Sequence, residues 1–388
     1  MKRVGIVAAC AMALASTLAA CAGEGPSGGQ AGSTTEKLVE EAKANTEAAL
    51  AGTDRPLPKG GPRAQSGKTV WAIACTTQGA GCLLPAEGFL EAAKKLGWTG
   101  KLIDGKADPG VYNSQLRAAA AASVDAVALF GVDCSAVKGS IEAIQRDGVK
   151  VIGSNALDCD DDYSGGGKPL FDAYLPWGED LISYNDYLST VVGPTIANWV
   201  IAKTAGKAEI IQMRQDDSAT LRLIGESQEK RLGECGGCTV HKVSYTGADL
   251  LGGKLQAKAS AALQKYPNAS VVMVPTDAAI TLGVGAAAGQ ARAAGRKDLL
   301  LVGNEGVPSS IKLLRDGTQS YAIGRPLTWT GWATADALNR LFAGEKPVDP
   351  GIGVGSMDAG HLPTTDVYDG NPKSSGYQAN YASSWGVG

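Results

Sequence analysis

The sequence predicts an α/β protein built of two doubly wound parallel-sheet lobes with a cleft between them. Short β-branched runs alternate with helical segments from residue 69 onward, the pattern of a parallel sheet covered by helices on both faces. The alternation falls into two series of four strands, separated by an irregular stretch at 157–180. Residues directly after the strands are rich in amides, hydroxyls and carboxylates, which suits a fold whose ligands collect beyond the carboxyl ends of parallel strands. A closed eightfold barrel has the same strand count and is the alternative.

The chain begins with a sorting signal. Lys2 and Arg3 precede an apolar run from 4 to 18, too short for a comfortable membrane span and suited to the core of a secretory signal. The run ends in Leu18-Ala19-Ala20-Cys21, which resembles the bacterial lipobox. That resemblance implies cleavage of residues 1–20 and lipidation of Cys21, anchoring an exported protein to the outer face of the cell membrane. An ordinary signal peptide with an incidental cysteine is the other reading. Cleavage removes two cations and no acid, so the formal charge moves from −3 to −5.

Residues 22–33, AGEGPSGGQAGS, form a flexible tether. Ser33 and Glu36 make a capping-box pattern that opens a polar helix reaching about residue 50, and RPLPKGGPR breaks it. Residues 21–66 are thus expected to be a lipidated leash with one short helix. As a partner-binding segment that helix would have little to bury, since its apolar stripe is mostly alanine.

The first series places strands at 69–75, 101–104, 126–130 and 150–154, with helices at 85–96, 111–122 and 136–146. The second places strands at 208–213, 239–245, 270–275 and 299–303, with helices at 188–204, 219–233, 250–266 and 278–294.

With Cys10 lost in the signal and Cys21 lipidated, six cysteines remain, an even number that suits disulfides outside the cytoplasm. Sequence neighbours are the expected pairs. Cys75 and Cys82 bracket one loop, Cys134 and Cys159 follow successive strands, and Cys235 and Cys238 flank a Gly-Gly turn. The CGGC run is read as a structural bridge, with redox chemistry or a metal half-site as alternatives. A thioredoxin-like pair leads from a strand into a helix, whereas here a helix precedes and a strand follows. Zinc would need more ligands than Cys235, Cys238 and His241.

The strand-end residues Thr77, Gln78, Asn155, Thr220, Tyr245, Thr276, Asp277, Asn304, Glu305 and Arg325 are the candidate ligand contacts, with Asp104 and Asp133 at further strand ends. Trp177, Tyr184, Tyr245, Trp329 and Trp332 are candidates for stacking on a flat guest, or else for core and hinge packing. Asp160-Asp161-Asp162 is read as a solvated acidic run rather than a calcium site, and no metal or other cofactor is called for.

At these residues the chain resembles the type I periplasmic solute-binding proteins, the ribose-binding and lac-repressor-core superfamily, over roughly 68–354. The passages that carry the likeness include GFLEAAKKLGW, DGKADPGVYNSQLRAAAAASVDAVALFGVD, AIQRDGVKVIGSN, SATLRLIGESQEKRL, the run from KYPNASVVMVP to IKLLRDG, and LFAGEKP. The resemblance implies a three-crossover hinge, near 183–186, 323–326 and 351–356. It also implies an N-terminal lobe of 67–184 and 325–352 and a C-terminal lobe of 185–324 and 353–388 including the tail. Carried over residue by residue, Asn155 stands where the sugar binders have an aspartate after the fourth strand, and Thr276-Asp277 where they have Asn-Asp. Glu305 replaces the aspartate of a GFDG-like turn, and Arg325 replaces a glutamine at the second crossover. Thr220 stands where they carry an arginine at a helix start, while Arg222 matches a second, structural arginine.

The resemblance implies a monomeric receptor that closes on a small polar ligand, a sugar or polyol, and delivers it to an ABC permease. Its membrane contact would be the lipid anchor alone. A ligand-sensing receptor for a membrane signalling partner, or a binder of a nucleoside or aromatic solute, is the alternative. With 36 Lys+Arg against 39 Asp+Glu, the chain has no basic excess to hold nucleic acid. An enzyme is not expected: the two histidines lie in a strand and in a Gly/Pro-containing tail, and no GxSxG, P-loop lysine or HExxH occurs. GVGAAAG at 283–289 misses the GxGxxG spacing and falls inside a helix.

Overall fold

The structure, a computed structural model, describes residues 29–178, 182–371 and 376–388. The export signal and Cys21 lie outside the described residues. Helix α1 (Gly29–Ala51) precedes the first sheet. That sheet contains β1 (Thr69–Ala74), β2 (Thr99–Asp104), β3 (Ala126–Phe130), β4 (Lys150–Ser154) and the short β5 (Ala173–Tyr174), in the order β2-β1-β3-β4-β5. Every pair is parallel. Helices α2 (Ala80–Lys95), α3 (Pro109–Ala121) and α4 (Cys134–Arg146) connect them. The central β3, AVALF, is apolar throughout and buried at every residue, as a parallel strand covered on both faces must be.

After α5 (Tyr184–Tyr187), a π-helical turn at Leu188–Val192 leads into α6 (Gly193–Lys203). The second sheet follows: β6 (Ala208–Gln215), α7 (Ala219–Gly233), β7 (Cys238–Tyr245), α8 (Gly247–Leu251), α9 (Leu255–Lys265) and β8 (Val271–Met273). Next come α10 (Asp277–Ala279), a π-helical turn at Ile280–Val284, α11 (Gly285–Ala293), β9 (Leu300–Val302) and α12 (Pro308–Arg315). Its order, β7-β6-β8-β9, is again all parallel. Two separate sheets exclude the closed barrel. The chain then passes through β10 (Ala322–Gly324), α13 (Leu327–Phe342), which packs on α2, and β11 (Gly355–Met357), which pairs antiparallel with β10. It ends in α14 (Tyr377–Trp385).

Three helices expected to be single are broken. Gly252-Gly253 separates α8 from α9, and π-turns interrupt the stretches before α6 and α11. Gly283 carries the last interruption: its φ of 146° is open to glycine, and a Cβ there would lie 2.6 Å from the Gln256 nitrogen.

The two chain ends depart from expectation in the same way, by docking. The helix expected from Ser33 begins at Gly29, and α1 lies against α6 with Val39, Ala42 and Ala49 buried. The following arm runs beside the third crossover. Thr53 N donates to Val354 O at 2.9 Å, Gly353 N donates to Asp54 Oδ1 at 2.9 Å, and Arg55 grips Asp349 with two bonds of 2.8 and 2.9 Å. From residue 29 onward, therefore, the leash is part of the globular body. The sequence assigns all of 353–388 to the C-terminal lobe; β11 and the stretch at 362–368 join it, with Arg315 of α12 bonded to Asp366 and Thr365 O and Tyr368 packed among Ile311 and Leu314, but α14 does not. In α14, Tyr377 stacks on Trp329 and Trp385 on Trp332, at 5.5 and 5.7 Å between ring centres, so the tail covers α13 of the N-terminal lobe. The reason is an aromatic stripe at four-residue spacing, Tyr377, Tyr381 and Trp385, all buried. Among the described residues no helix is long and apolar enough to cross a membrane.

Candidate functional site

The carboxyl ends of both sheets meet, Asp133 at Thr220 and Gly81 at Glu305, and three polar clusters lie at this junction. The first surrounds the turn after β9. Asp277, at the start of α10, is buried and accepts backbone N–H bonds from Asn304 (2.9 Å), Glu305 (3.2 Å), Gly306 (2.7 Å) and Val307 (3.4 Å). In return Asp277 N donates to Glu305 Oε2 at 3.0 Å, and Asn304 Nδ2 donates to Pro275 O at 2.6 Å. Burial pushes the Glu305 carboxyl up to about 8, with the negative charge of Asp277 adding to the rise and Arg325 opposing it. Burial raises Asp277 too. Four backbone N–H groups favour its ionised form whereas Glu305 has one, so the shared proton resides on Glu305.

This proton has a consequence for stability. A carboxyl held above its ordinary 4.5 in the folded state stabilises fully below that value, and the contribution is lost as pH rises through about 8. The denaturant midpoint of the wild type should therefore fall across that interval more steeply than that of the Glu305→Gln variant. Parallel profiles would show that Glu305 titrates normally.

The second cluster centres on Arg325, directly after β10. Its Nη2 donates to Tyr184 Oη at 2.7 Å and to Asn155 Oδ1 at 3.3 Å, and its backbone N donates to Glu305 O at 3.1 Å. Burial works against its charge, yet Tyr184, Tyr187 and Glu305 hold its pKa above the ordinary guanidinium value. Asn155 follows β4 with φ of 51°, a left-handed conformation that asparagine tolerates better than most side chains. Tyr184 belongs to an aromatic stack in which Trp177 and Tyr187 lie 4.2 Å apart. The candidate rings Trp177 and Tyr184 are thus packed on Tyr187, and Trp329 and Trp332 are engaged under α14.

The third cluster joins the lobes. Asp133, the residue before α4, accepts from Thr220 Oγ1 (2.5 Å), Thr220 N (3.1 Å) and Ser218 Oγ (3.3 Å) at the start of α7. It also accepts from Leu157 N at 3.1 Å in its own lobe. Thr220 thus serves a contact between lobes. Gly81, where a Cβ would overlap Glu305 Oε1, was not among the candidate residues. Ser218 was legible as the cap of α7, whose Oγ accepts from Leu221 N.

Tyr245 Oη, Thr276 Oγ1 and Asn304 Oδ1 complete the cleft. They lie at the end of β7 and just after β8 and β9, and all three are buried; the Tyr245 and Thr276 hydroxyls lie beside each other and meet no other protein partner, and Asn304 Oδ1 meets none. Thr77 N donates to Asp104 at 2.9 Å, and Gln78 is exposed in the turn that reaches α10, where a Cβ on Gly79 would lie 3.9 Å from Ala278 Cβ. The cysteines pair as Cys75–Cys82, Cys134–Cys159 and Cys235–Cys238. Among the described residues one group has metal-ligating composition, Cys134, Asp158 and Cys159, and its two sulfurs are bonded to each other, leaving no thiolate to bind a metal. Asp161, in the acidic run, accepts from Tyr163 N and Asn185 Nδ2.

No curated protein matches the sequence. Among solved structures, an ABC transporter solute-binding protein from Burkholderia graminis in complex with D-arabinose is 17% identical, with 77% of this chain and 98% of that one covered and a TM-score of 0.62. The glucose-galactose binding protein GanP from Geobacillus stearothermophilus is 19% identical, with 77% and 100% covered and a TM-score of 0.64. An ABC transporter solute-binding protein from Bacillus halodurans with bound myo-inositol is 15% identical, with 76% and 96% covered and a TM-score of 0.62. At these identities the likeness establishes the fold, that of type I periplasmic binding proteins. The periplasmic binding protein domain pattern matches residues 75–346, from the turn after β1 to the loop after α13, and this chain belongs to that family.

Proposed function

We propose that this protein captures a small neutral polar solute, a sugar or polyol, between its lobes and delivers it to an ABC importer. The observation that carries the reading is a set of buried groups the protein leaves incompletely bonded at the carboxyl ends of three strands of one sheet: Tyr245 Oη and Thr276 Oγ1, which meet only each other, and Asn304 Oδ1. Buried polar atoms of this kind are costly without a partner, and the hydroxyls of a polyol offer both donors and acceptors to them. Asn155, Glu305 and Arg325 extend the same polar wall. A protonated Glu305 donates a hydrogen bond, while Arg325 supplies the fixed fork of a guanidinium. Relatives of the same fold were solved with D-arabinose, allitol and myo-inositol, which supports the ligand class.

An aromatic or nucleoside guest has less support, because Trp177, Tyr184 and Tyr187 satisfy one another. The reading needs no cofactor and assigns no residue a catalytic role. It places a monomer outside the cytoplasm, held to the membrane by a lipid on Cys21, and assigns the N-terminal lobe 67–184 and 325–352. A thermal-shift panel of pentoses, hexoses, polyols, nucleosides and amino acids tests the ligand class, since a ligand of the folded state raises its melting temperature. Stabilisation by sugars or polyols is expected. Stabilisation by nucleosides or amino acids alone would overturn the assignment.

A further inference from the structure

Two of the three disulfides lie where the lobes touch. Cys75–Cys82 closes the turn from β1 into α2, and Gly81, beside Cys82, is where the Glu305 carboxyl of the opposite lobe rests. Cys134–Cys159 fixes the entry to α4, and Asp133, beside Cys134, binds Thr220 and Ser218 of the opposite lobe. Beyond Cys159 the irregular stretch makes another crossing: Tyr163 Oη donates to Glu226 Oε2 at 2.5 Å, and Arg222 Nη2 donates to Tyr163 O at 3.1 Å. The first staple also touches the loop that leads to the second: a Cβ on Gly131 would lie 2.8 Å from Cys82 Sγ, so the loops after β1 and β3 pack together along the rim of the sheet as one plate.

The contacts on this plate are reciprocal. A carboxylate of the N-terminal lobe meets the start of α7, and a carboxyl of the C-terminal lobe meets the start of α2, each at the electropositive end of a helix. Such contacts depend on position to a fraction of an ångström, and loops at strand ends are among the least rigid parts of a domain. The third bridge, Cys235–Cys238, joins the end of α7 to the start of β7, at the opposite end of that strand from the cleft residue Tyr245.

We propose that Cys75–Cys82 and Cys134–Cys159 are positioning elements for cleft closure, holding Gly81 and Asp133 where the C-terminal lobe meets them, whereas Cys235–Cys238 stabilises its lobe without affecting closure. The inference rests on the closing cleft proposed above, but its readout needs no guest. A failed sugar panel and a failed exchange test are therefore separate outcomes.

The amide of Thr220 reports on closure directly. It lies in the first turn of α7, where no intrahelical acceptor exists, and it donates across the cleft to Asp133. Hydrogen exchange at residues 219–222 in the full mature chain should accelerate at least tenfold in C134A/C159A and in C75A/C82A, with the amides of β8 unchanged. C235A/C238A should leave 219–222 at the wild-type rate. Loss of loop constraint alone ranks the variants by ring size, which groups C75A/C82A with C235A/C238A. If C134A/C159A fails to fold, the contrast between the two short bridges decides. Retained protection at 219–222 in C75A/C82A, or equal acceleration in C235A/C238A, would overturn the proposal.

Discussion

Replacing Asp277 with alanine is expected to cost about 3–5 kcal/mol, the largest loss of any single substitution in the cleft. The carboxylate receives four backbone N–H bonds from the turn at 304–307, all buried. Alanine leaves those donors facing hydrocarbon. Each buried unpaired donor costs about 1–3 kcal/mol, and relief of the buried charge together with loop relaxation offsets part of the sum. Because the same turn presents Asn304 and Glu305, guest affinity should fall alongside stability. Asp277→Asn keeps one acceptor oxygen but turns an NH2 toward N–H donors, so its loss should be intermediate. Removing the negative charge of Asp277 should also bring Glu305 back toward the ordinary carboxyl value and shrink the pH dependence. Urea unfolding checks the first point, and a loss below about 1 kcal/mol would show that the turn does not depend on this carboxylate.

The second large effect is on binding. Arg325→Ala should weaken guest affinity by about 10- to 100-fold, the equivalent of losing one charge-assisted hydrogen bond. The guanidinium is buried, held by Tyr184 and Asn155 from the first crossover and the N-terminal sheet, and follows the second crossover strand β10. It therefore ties the hinge to the cleft wall. Its removal also takes away the cation opposing Glu305, whose carboxyl should then hold its proton to still higher pH. Arg325→Lys keeps the charge but lacks the planar fork, so it should restore the titration of Glu305 more fully than it restores affinity. Unchanged affinity in the alanine variant would remove Arg325 from the binding site.

The lobes were legible because buried parallel strands leave a continuous apolar record. AVALF and KVIGS coincide with β3 and β4, and the helix at 219–233 coincides with α7. Less legible were interruptions set by packing, such as Gly283, which reads as one more small residue in an alanine-rich helix until Gln256 lies against it. The docking of α14 had a signal in the spacing of Tyr377, Tyr381 and Trp385. The docking of the arm had little, because its partners are mainly backbone groups of the third crossover.

The strand-end rule put forward Asn155, Asp277, Asn304, Glu305 and Arg325 as ligand contacts, and the structure places them as neighbours. It did not show that Asp277 organises the turn at 304–307. Which N–H groups a carboxylate meets is decided by how four distant segments come together, and a single strand end does not contain that information.

The central claim is that a polyol guest completes the hydrogen bonding of buried groups the protein leaves incompletely bonded. Tyr245→Phe tests it most directly, read by titration calorimetry with the stabilising sugar or polyol and by the melting temperature of the free protein. Removing one hydroxyl should weaken binding by about 3- to 10-fold. The free protein should lose little stability, because the only protein group beside the lost hydroxyl is that of Thr276. Undiminished affinity in Tyr245→Phe, or lower stability without any loss of binding, would contradict the account.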